Sequence, residues 1–320
     1  MHKNTTVNRT RQEYKKSILV IFFVVLIGLG LNYFYGEIDL KEINVTIKNS
    51  VFFICILFLL ISVFFRKTNF FSRFTSIPFS VVLLFVFLIF CFFIGIIPQA
   101  EYEVIENIRR KEILNFHHIL FSWPFILVFF LLILSLGALI IRRLIRFKVK
   151  DFGFYCNHLG VWFILVALAF SAIEDRSYLM TINIGETEWR VLENTNDIIE
   201  LPIAVELYNC HIKYYEEKEM PISTKLQNRV ETVYARIKAV TVYGTDKEAT
   251  IEFNKPLTID NWHIFLHSYD LDSDINPEYC NILLVYNKWY WLLYFGVSLT
   301  IIGALYYLIN LRLRVEKNVE

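Results

Sequence analysis

In the stretch DFGFYCNHLGVWFILVALAFSAIEDR, Asp151 to Arg176, one imidazole, His158, falls just inside what reads as a membrane-spanning helix. A titratable side chain is costly in hydrocarbon, so it marks a ligand, a proton carrier or a residue bonded to a neighbouring helix. Imidazole is a good axial ligand for haem iron, and this stretch offers an apolar slot, aromatic neighbours and one nitrogen donor. A neutral histidine bonded to a carbonyl explains the same letter, and the residues alone leave both readings open. Around it, Gly160 permits close helix approach, Trp162 fills space and Asn157 is placed to orient the ring.

The chain has seven histidines. His117 and His118 in LNFHHILFSWPF stand at the far entrance of the preceding apolar run, where successive helical residues point about 100° apart, so at most one faces a given site. His118 is the candidate there, against a background of interfacial hydrogen bonding. His263 and His267 in WHIFLHSYD share one face of a strand and form a weak metal pair, with no third ligand in the segment. His211 is isolated and reads as a surface residue. The five cysteines form no CxxC and no CxxCH, which excludes a thioredoxin-like dithiol and self-attachment of c-type haem. Cys210 and Cys280 are either a disulfide or two buried free thiols.

The elements that position these residues follow from composition. The chain is 56% hydrophobic, with 30 Phe and 18 Tyr, and its mean hydropathy is +0.46. That is more apolar surface than one soluble core of this length hides. Runs of about 20 apolar residues occur at Ile18–Tyr35, Ile77–Pro98, Ile119–Ile141, Phe154–Ile173 and Trp289–Asn310. Val51–Phe65 is shorter, but NVTIKNS before it extends the helix. If it crosses, the basic arm (Lys3, Arg9, Arg11, Lys15, Lys16), RKTNFFSRF, RRLIRFKVK and RLRVEK all fall on one side. We therefore expect about six spans with both termini cytoplasmic. Arg109, Arg110 and Lys111 fall outside, offset by neighbouring glutamates. No small-residue cleavage site follows the first run, which argues against a signal peptide.

Between the last two spans lies a polar stretch large enough for one domain. IAVELYNCHIKYY, VYARIKAVTVYG, ATIEFNKPLTI and NWHIFLHSYD alternate with period two, separated by EEKEMPIST, GTDKE and DLDSDINPE. The expected fold is a polytopic α-helical membrane protein with a mostly antiparallel, extracytoplasmic β-domain inserted between the fifth and sixth spans. Its expected divisions are a basic arm 1–16, five helices in 17–173, the β-domain 174–287, a sixth helix 288–311 and a cytoplasmic tail 312–320. Glycine-rich phosphate loops, GxSxG and HExxH are absent, and a net charge of +1 gives no reason to invoke nucleic acid.

The run FSWPFILVFFLLILSLGALIIRRL, followed by DFGFYCNHLGVWFILVALAFSAIEDRSYLMTINIGETEWR, resembles the ResB (CcsB) family. NKPLTIDNWHIFLHSYD and YNKWYWLLYFGVSLTIIGALYYL are similar to that family's closing strand and final helix. Asn287-Lys288-Trp289 stands where the family has Asp-Pro-Trp, which alters the turn and keeps the tryptophan. The resemblance implies a bacterial inner-membrane protein of system II cytochrome c maturation. With a ResC (CcsA) type partner, such proteins move haem to the outer face for attachment to apocytochrome c. It also implies an axial-ligand role for His158 toward transported or transiently bound haem b, while His118 aligns with no family ligand. The partner's tryptophan-rich WWD loop is absent, so this chain is at most one subunit of a haem lyase complex and no enzyme by itself. Two further readings remain: a scaffold that ligates no haem and docks the partner or apocytochrome through its β-domain, and a small-solute transporter. For the last, neither inverted halves nor membrane-embedded acids are evident.

Overall fold

The computed structural model describes residues 2–38, 40, 43, 45–65, 67–99, 116–192, 198–214, 230–270 and 277–319, without side chains for 2–9, 45 and 311–319. The loop carrying Arg109–Lys111, the turn EEKEMPIST, most of DLDSDINPE and the side chains of RLRVEK lie outside the described residues. Two compact units divide the chain, Met1–Ile173 with Tyr290–Glu320, and Glu174–Trp289.

The first unit is helical: α1 (His2–Tyr35), α2 (Val45–Phe64), a short α3 (Asn69–Phe74), α4 (Ile77–Ile96), α5 (Trp123–Leu144), α6 (Phe152–Glu174) and α7 (Tyr290–Val319). Six of these are long and apolar enough to cross a membrane. The short run at Val51 does become a full-length helix, because the chain turns helical from Val45. The run expected to start at Ile119 starts its α-helix later, at Trp123, after a 3-10 turn over Phe116–Phe121. Pro124 explains the delay: it lacks an amide hydrogen and suits the first turn of a helix. His118 therefore sits in the turn before α5, at φ −133°, ψ 35°, and not on the helix.

The helical unit has two chemically distinct ends. At one, Arg73 lies 3.8 Å from Glu13 of α1, Arg142 donates to Thr75 Oγ1 at 2.6 Å, and Ser135 donates to the Phe74 carbonyl at 3.0 Å. Basic residues collect there. At the other, α1 runs out beside the start of α5, with the Ile38 amide donating to the Phe121 carbonyl at 3.0 Å and the Trp123 amide to Asn32 Oδ1 at 3.4 Å. A helix of 22 residues, such as α5, is roughly 33 Å long, about the thickness of a bilayer's hydrocarbon core.

The second unit is a sandwich of two antiparallel four-stranded sheets. One sheet has the order β1 (Arg176–Asn183), β8 (Tyr279–Tyr286), β7 (Trp262–Tyr269), β6 (Leu257–Ile259). The other has β2 (Thr187–Leu192), β3 (Ile198–Tyr214), β4 (Val230–Thr241), β5 (Asp246–Ile251). Inward residues of both sheets, including Met180, Val205, Ile237, Ile251, Trp262 and Ile282, form one core. The period-two stretch ATIEFNKPLTI is not one strand: it breaks at Glu252–Lys255, and Pro256, with no amide hydrogen to offer a ladder, separates β5 from β6.

Bulges adjust which side chains enter the core. On β3, Ile203, Val205 and Leu207 point inward, and an extra residue between Leu207 and Asn209 shifts the phase so that Cys210 and Ile212 point inward as well. On β7 a similar irregularity between Leu266 and Ser268 takes up His267, which is exposed.

Candidate functional site

The side chain of His158 is fixed by its own helix. Its Nδ1 lies 2.9 Å from the Phe154 carbonyl, and its ring stacks on the Phe154 ring at a centroid distance of 3.8 Å. A carbonyl accepts only, so Nδ1 carries the hydrogen and, in the neutral ring, Nε2 carries the lone pair. The half-buried imidazole is thus oriented with its donor nitrogen directed off the helix backbone.

Phe154, His158 and Trp162 are four residues apart and form one ridge on α6. Both outer members of that ridge touch α5. Arg143 lies over the Phe154 ring at 4.0 Å, and Trp162 Nε1 donates to the Ile133 carbonyl at 3.1 Å. Gly137 makes room for the indole: a Cβ there would meet Trp162 Nε1 at 2.9 Å. His158 is the middle of a ridge clamped at both ends against α5, close to the arginine-rich end of the unit.

The next ridge of α6 faces α7. A Cβ at Gly160 would lie 2.6 Å from the Gly296 carbonyl oxygen, and one at Gly303 would lie 2.8 Å from the Asn157 amide nitrogen. Backbones approach this closely only where side chains are missing. Asn157, expected to orient the imidazole, packs on Gly303, and Phe154 performs the orienting.

His118 lies at the opposite end of α5. It is 2% exposed, and Glu37 Oε2 is 3.7 Å from its Nδ1, too far for a hydrogen bond and close enough for an ion pair when the ring is protonated. Neither His118 Nδ1 nor the neighbouring Trp123 Nε1 has a hydrogen-bond partner among the described residues. Gln99 ties the site together, accepting from the Ile119 amide at 3.0 Å and donating to the carbonyls of Ile97 and Phe116. His117 Nδ1 instead pairs with the Pro98 carbonyl at 3.1 Å. The sequence reading missed Glu37 and Gln99. Their signal was present, since each is a polar residue directly beyond an apolar run.

A buried imidazole nitrogen and a buried indole N–H that lack protein partners are groups whose hydrogen bonding a water or a polar guest would complete. Because α5 separates them, His118 and His158 cannot ligate one iron together. Elsewhere, His263 pairs with Thr258 Oγ1 at 3.2 Å, burial holds its pKa below the usual value, and His211 and His267 are exposed. Among the described residues, no three His, Cys, Asp or Glu side chains converge as a metal-ligand set.

In the β-unit the two chain ends meet in a polar clasp. Arg176 of β1 pairs with Tyr286 of β8. Next to them Asn287 donates to Asp175 Oδ2 at 2.7 Å and accepts from the Trp289 amide at 2.7 Å. Trp289 Nε1 and Lys288 Nζ both reach Glu174 Oε2, at 2.9 and 2.6 Å. The departure Asn287-Lys288-Trp289 thus builds its own turn. Burial, opposed by the Asn287 hydrogen bond, raises the Asp175 carboxyl from 3.8 to about 6.

A carboxyl that binds its proton more tightly when folded favours folding at low pH. That contribution is lost as pH rises from about 3.8 to about 6 and is flat above. Asp175→Asn, which keeps an acceptor for Asn287, is expected to stabilise the β-unit by about 1 kcal/mol above pH 6, a figure reduced for the partial exposure of the group. Thermal unfolding of both proteins between pH 4 and 8 checks this: the midpoint difference should shrink toward the acid end.

Comparison with known proteins now bears on these sites. Residues 148–282 match the ResB-like family. The ResB-like segment takes in α6 with His158 and the β-unit through the first half of β8; it covers less than half of the chain, and His118 lies before it. No curated protein matches the chain. Among solved structures, a cytochrome c haem lyase, CcmF, is similar over 57% of this chain and 30% of its own, at 16% identity and a TM-score of 0.35.

Proposed function

We propose that this chain is a membrane component of cytochrome c biogenesis that handles haem as cargo, with His158 as an axial ligand. The observation that carries the reading is the His158 geometry inside the ResB-like segment: an Nδ1 hydrogen held by the Phe154 carbonyl leaves Nε2 as a pre-oriented donor, between the two side chains of α6 that touch α5. Hydrogen-bonded orientation of this kind is how metal-ligating imidazoles are commonly held. Arg143, over the ring that His158 stacks on, supplies positive charge next to this position for an anionic guest.

In this reading the arginine-rich end of the helices is cytoplasmic and the β-unit is extracytoplasmic. Haem meets His158 first, and His118 with Glu37 forms a second station at the outer end of α5. Each station offers one imidazole, so the remaining axial ligand comes from a ResC (CcsA) type partner or from solvent. The β-unit then positions the apocytochrome.

The chain co-purified with its partner is expected to show a Soret band, and His158→Gly to lose most of it. An unchanged haem content and spectrum in that variant would reject the ligand assignment. Haem kept by the partner in His158→Gly, but lost on deletion of residues 174–287, would instead establish the scaffold reading.

A further inference from the structure

The core of the β-unit holds two thiols that the haem reading does not use. Cys210 on β3 is 1% exposed and Cys280 on β8 is 0% exposed, and their sulfurs are 2.7 Å apart. The two strands belong to different sheets. Cys210 enters the core only because the β3 bulge shifts its phase, and Cys280 enters in step with Ile282 and Leu284. The chain carries the other three cysteines, Cys55, Cys91 and Cys156, in its helices.

We propose that Cys210 and Cys280 close a disulfide that staples one sheet of the sandwich to the other as the unit folds. The step is a thiol–disulfide exchange with a disulfide oxidant, either a small-molecule or a protein disulfide. Whichever thiol is deprotonated first attacks it and forms a mixed disulfide; the other, once deprotonated, displaces the oxidant's second sulfur. Two S–H bonds are lost and one S–S bond forms; the oxidant takes two electrons and leaves as two thiols, with the protons passing to them. In the closed, reduced sandwich the two thiols are hydrogen-bonded to each other. Cys280 donates its S–H to Cys210, which lowers the Cys210 pKa, while that same bond and burial raise that of Cys280.

Burial sets when this happens. An oxidant cannot reach either sulfur in the closed sandwich, so the bond forms before β3 and β8 face each other completely, and it resists reduction afterwards. The bond encloses a long loop, since the two residues are 70 apart in sequence, which is the case where a cross-link restricts the unfolded chain most. The inference does not depend on haem or on His158.

The test reads the thiols where the protein resides. Cells expressing the full chain are quenched in acid, and their membranes are alkylated in denaturant, then reduced and alkylated with an isotopically distinct reagent. Cys210 and Cys280 are expected to carry the second label, and Cys55, Cys91 and Cys156 the first. An unreduced digest should yield the linked Cys210 and Cys280 peptides. First label on both Cys210 and Cys280 would overturn the proposal. Cys210→Ser must move Cys280 to the first label; a Cys280 still protected in that variant would show another partner and overturn it as well. For the purified protein, reduction is expected to lower the β-unit's melting temperature by roughly 10 °C.

Discussion

Replacing Gly160 by alanine is expected to destabilise the helical unit by about 2 kcal/mol or more, while the same replacement at Gly30 stabilises it by up to about 1 kcal/mol. The sign differs because the surroundings differ. A Cβ at Gly160 meets backbone, the Gly296 carbonyl oxygen at 2.6 Å and the Thr300 amide nitrogen at 2.7 Å, and neither can move unless α7 moves. At Gly30 nothing lies within 4 Å, so alanine only removes the conformational freedom that glycine retains in the unfolded chain. Because Asn157, Gly160 and Ile164 face α7 while the adjacent ridge carries His158, forcing α6 away from α7 also displaces the imidazole relative to α5. Gly160→Ala should therefore lower haem content together with stability, and Gly30→Ala should change neither downward. Unfolding in detergent, followed by helical signal and Soret absorbance, checks both; equal effects of the two variants would remove the packing argument.

Much of this was legible in the sequence because hydrophobic length and alternation are strong signals. The apolar runs became helices, including the short one at Val51, whose polar leader simply continues the turn. Boundaries were less legible. The start of α5 depends on Pro124, and its effect moved His118 from a helix into the preceding turn, where it is buried beside Glu37. Strands β1, β2 and β8 escaped notice, since RSYLMTIN and TEWRVL are short and only half apolar, and YCNILLVY is apolar almost throughout and so shows no alternation. Their partners decide their faces.

The bulges were the least legible feature, and they have the largest chemical consequence. Strict alternation on β3 through Ile203, Val205 and Leu207 continues to Asn209 and His211, which would put two polar side chains into the core and Cys210 outside it. One additional residue in the strand avoids that outcome and brings the two thiols together. A one-residue slip exchanges the faces of a strand, so no count of hydrophobic residues could have revealed the pair. His158 shows the opposite case. Its position was evident from depth in an apolar run, yet its tautomer and its direction required the Phe154 carbonyl and the contacts of Trp162 and Arg143 with their neighbours.

The β-unit offers a way to separate ligand from scaffold. Trp262→Ala is expected to cost about 3–5 kcal/mol, lowering the melting temperature of this unit by roughly 10–20 °C. Trp262 is 6% exposed, stands opposite Tyr286 in the β7–β8 register, and packs on Tyr286 at 5.1 Å and Tyr178 at 6.4 Å. Those contacts gather strands β1, β7 and β8 just before Asn287, whose amide donates to the Asn261 carbonyl at 2.9 Å. Removing the indole leaves a cavity that neighbouring tyrosines, fixed by their own strands, fill only in part. Trp189→Ala is the control: that side chain is 41% exposed at the β2 irregularity, and its loss should cost within about 0.5 kcal/mol. If His158 holds the haem, Trp262→Ala protein held just above its lowered transition, where the wild-type unit is still folded, should retain its Soret band while delivering less haem to apocytochrome. If the β-unit instead governs haem retention by docking the partner, the band should fall as this unit melts, and His158→Gly should leave it in place. The two variants move haem content in opposite patterns, so one spectrum of each, taken at the same temperature, decides which unit holds the cargo.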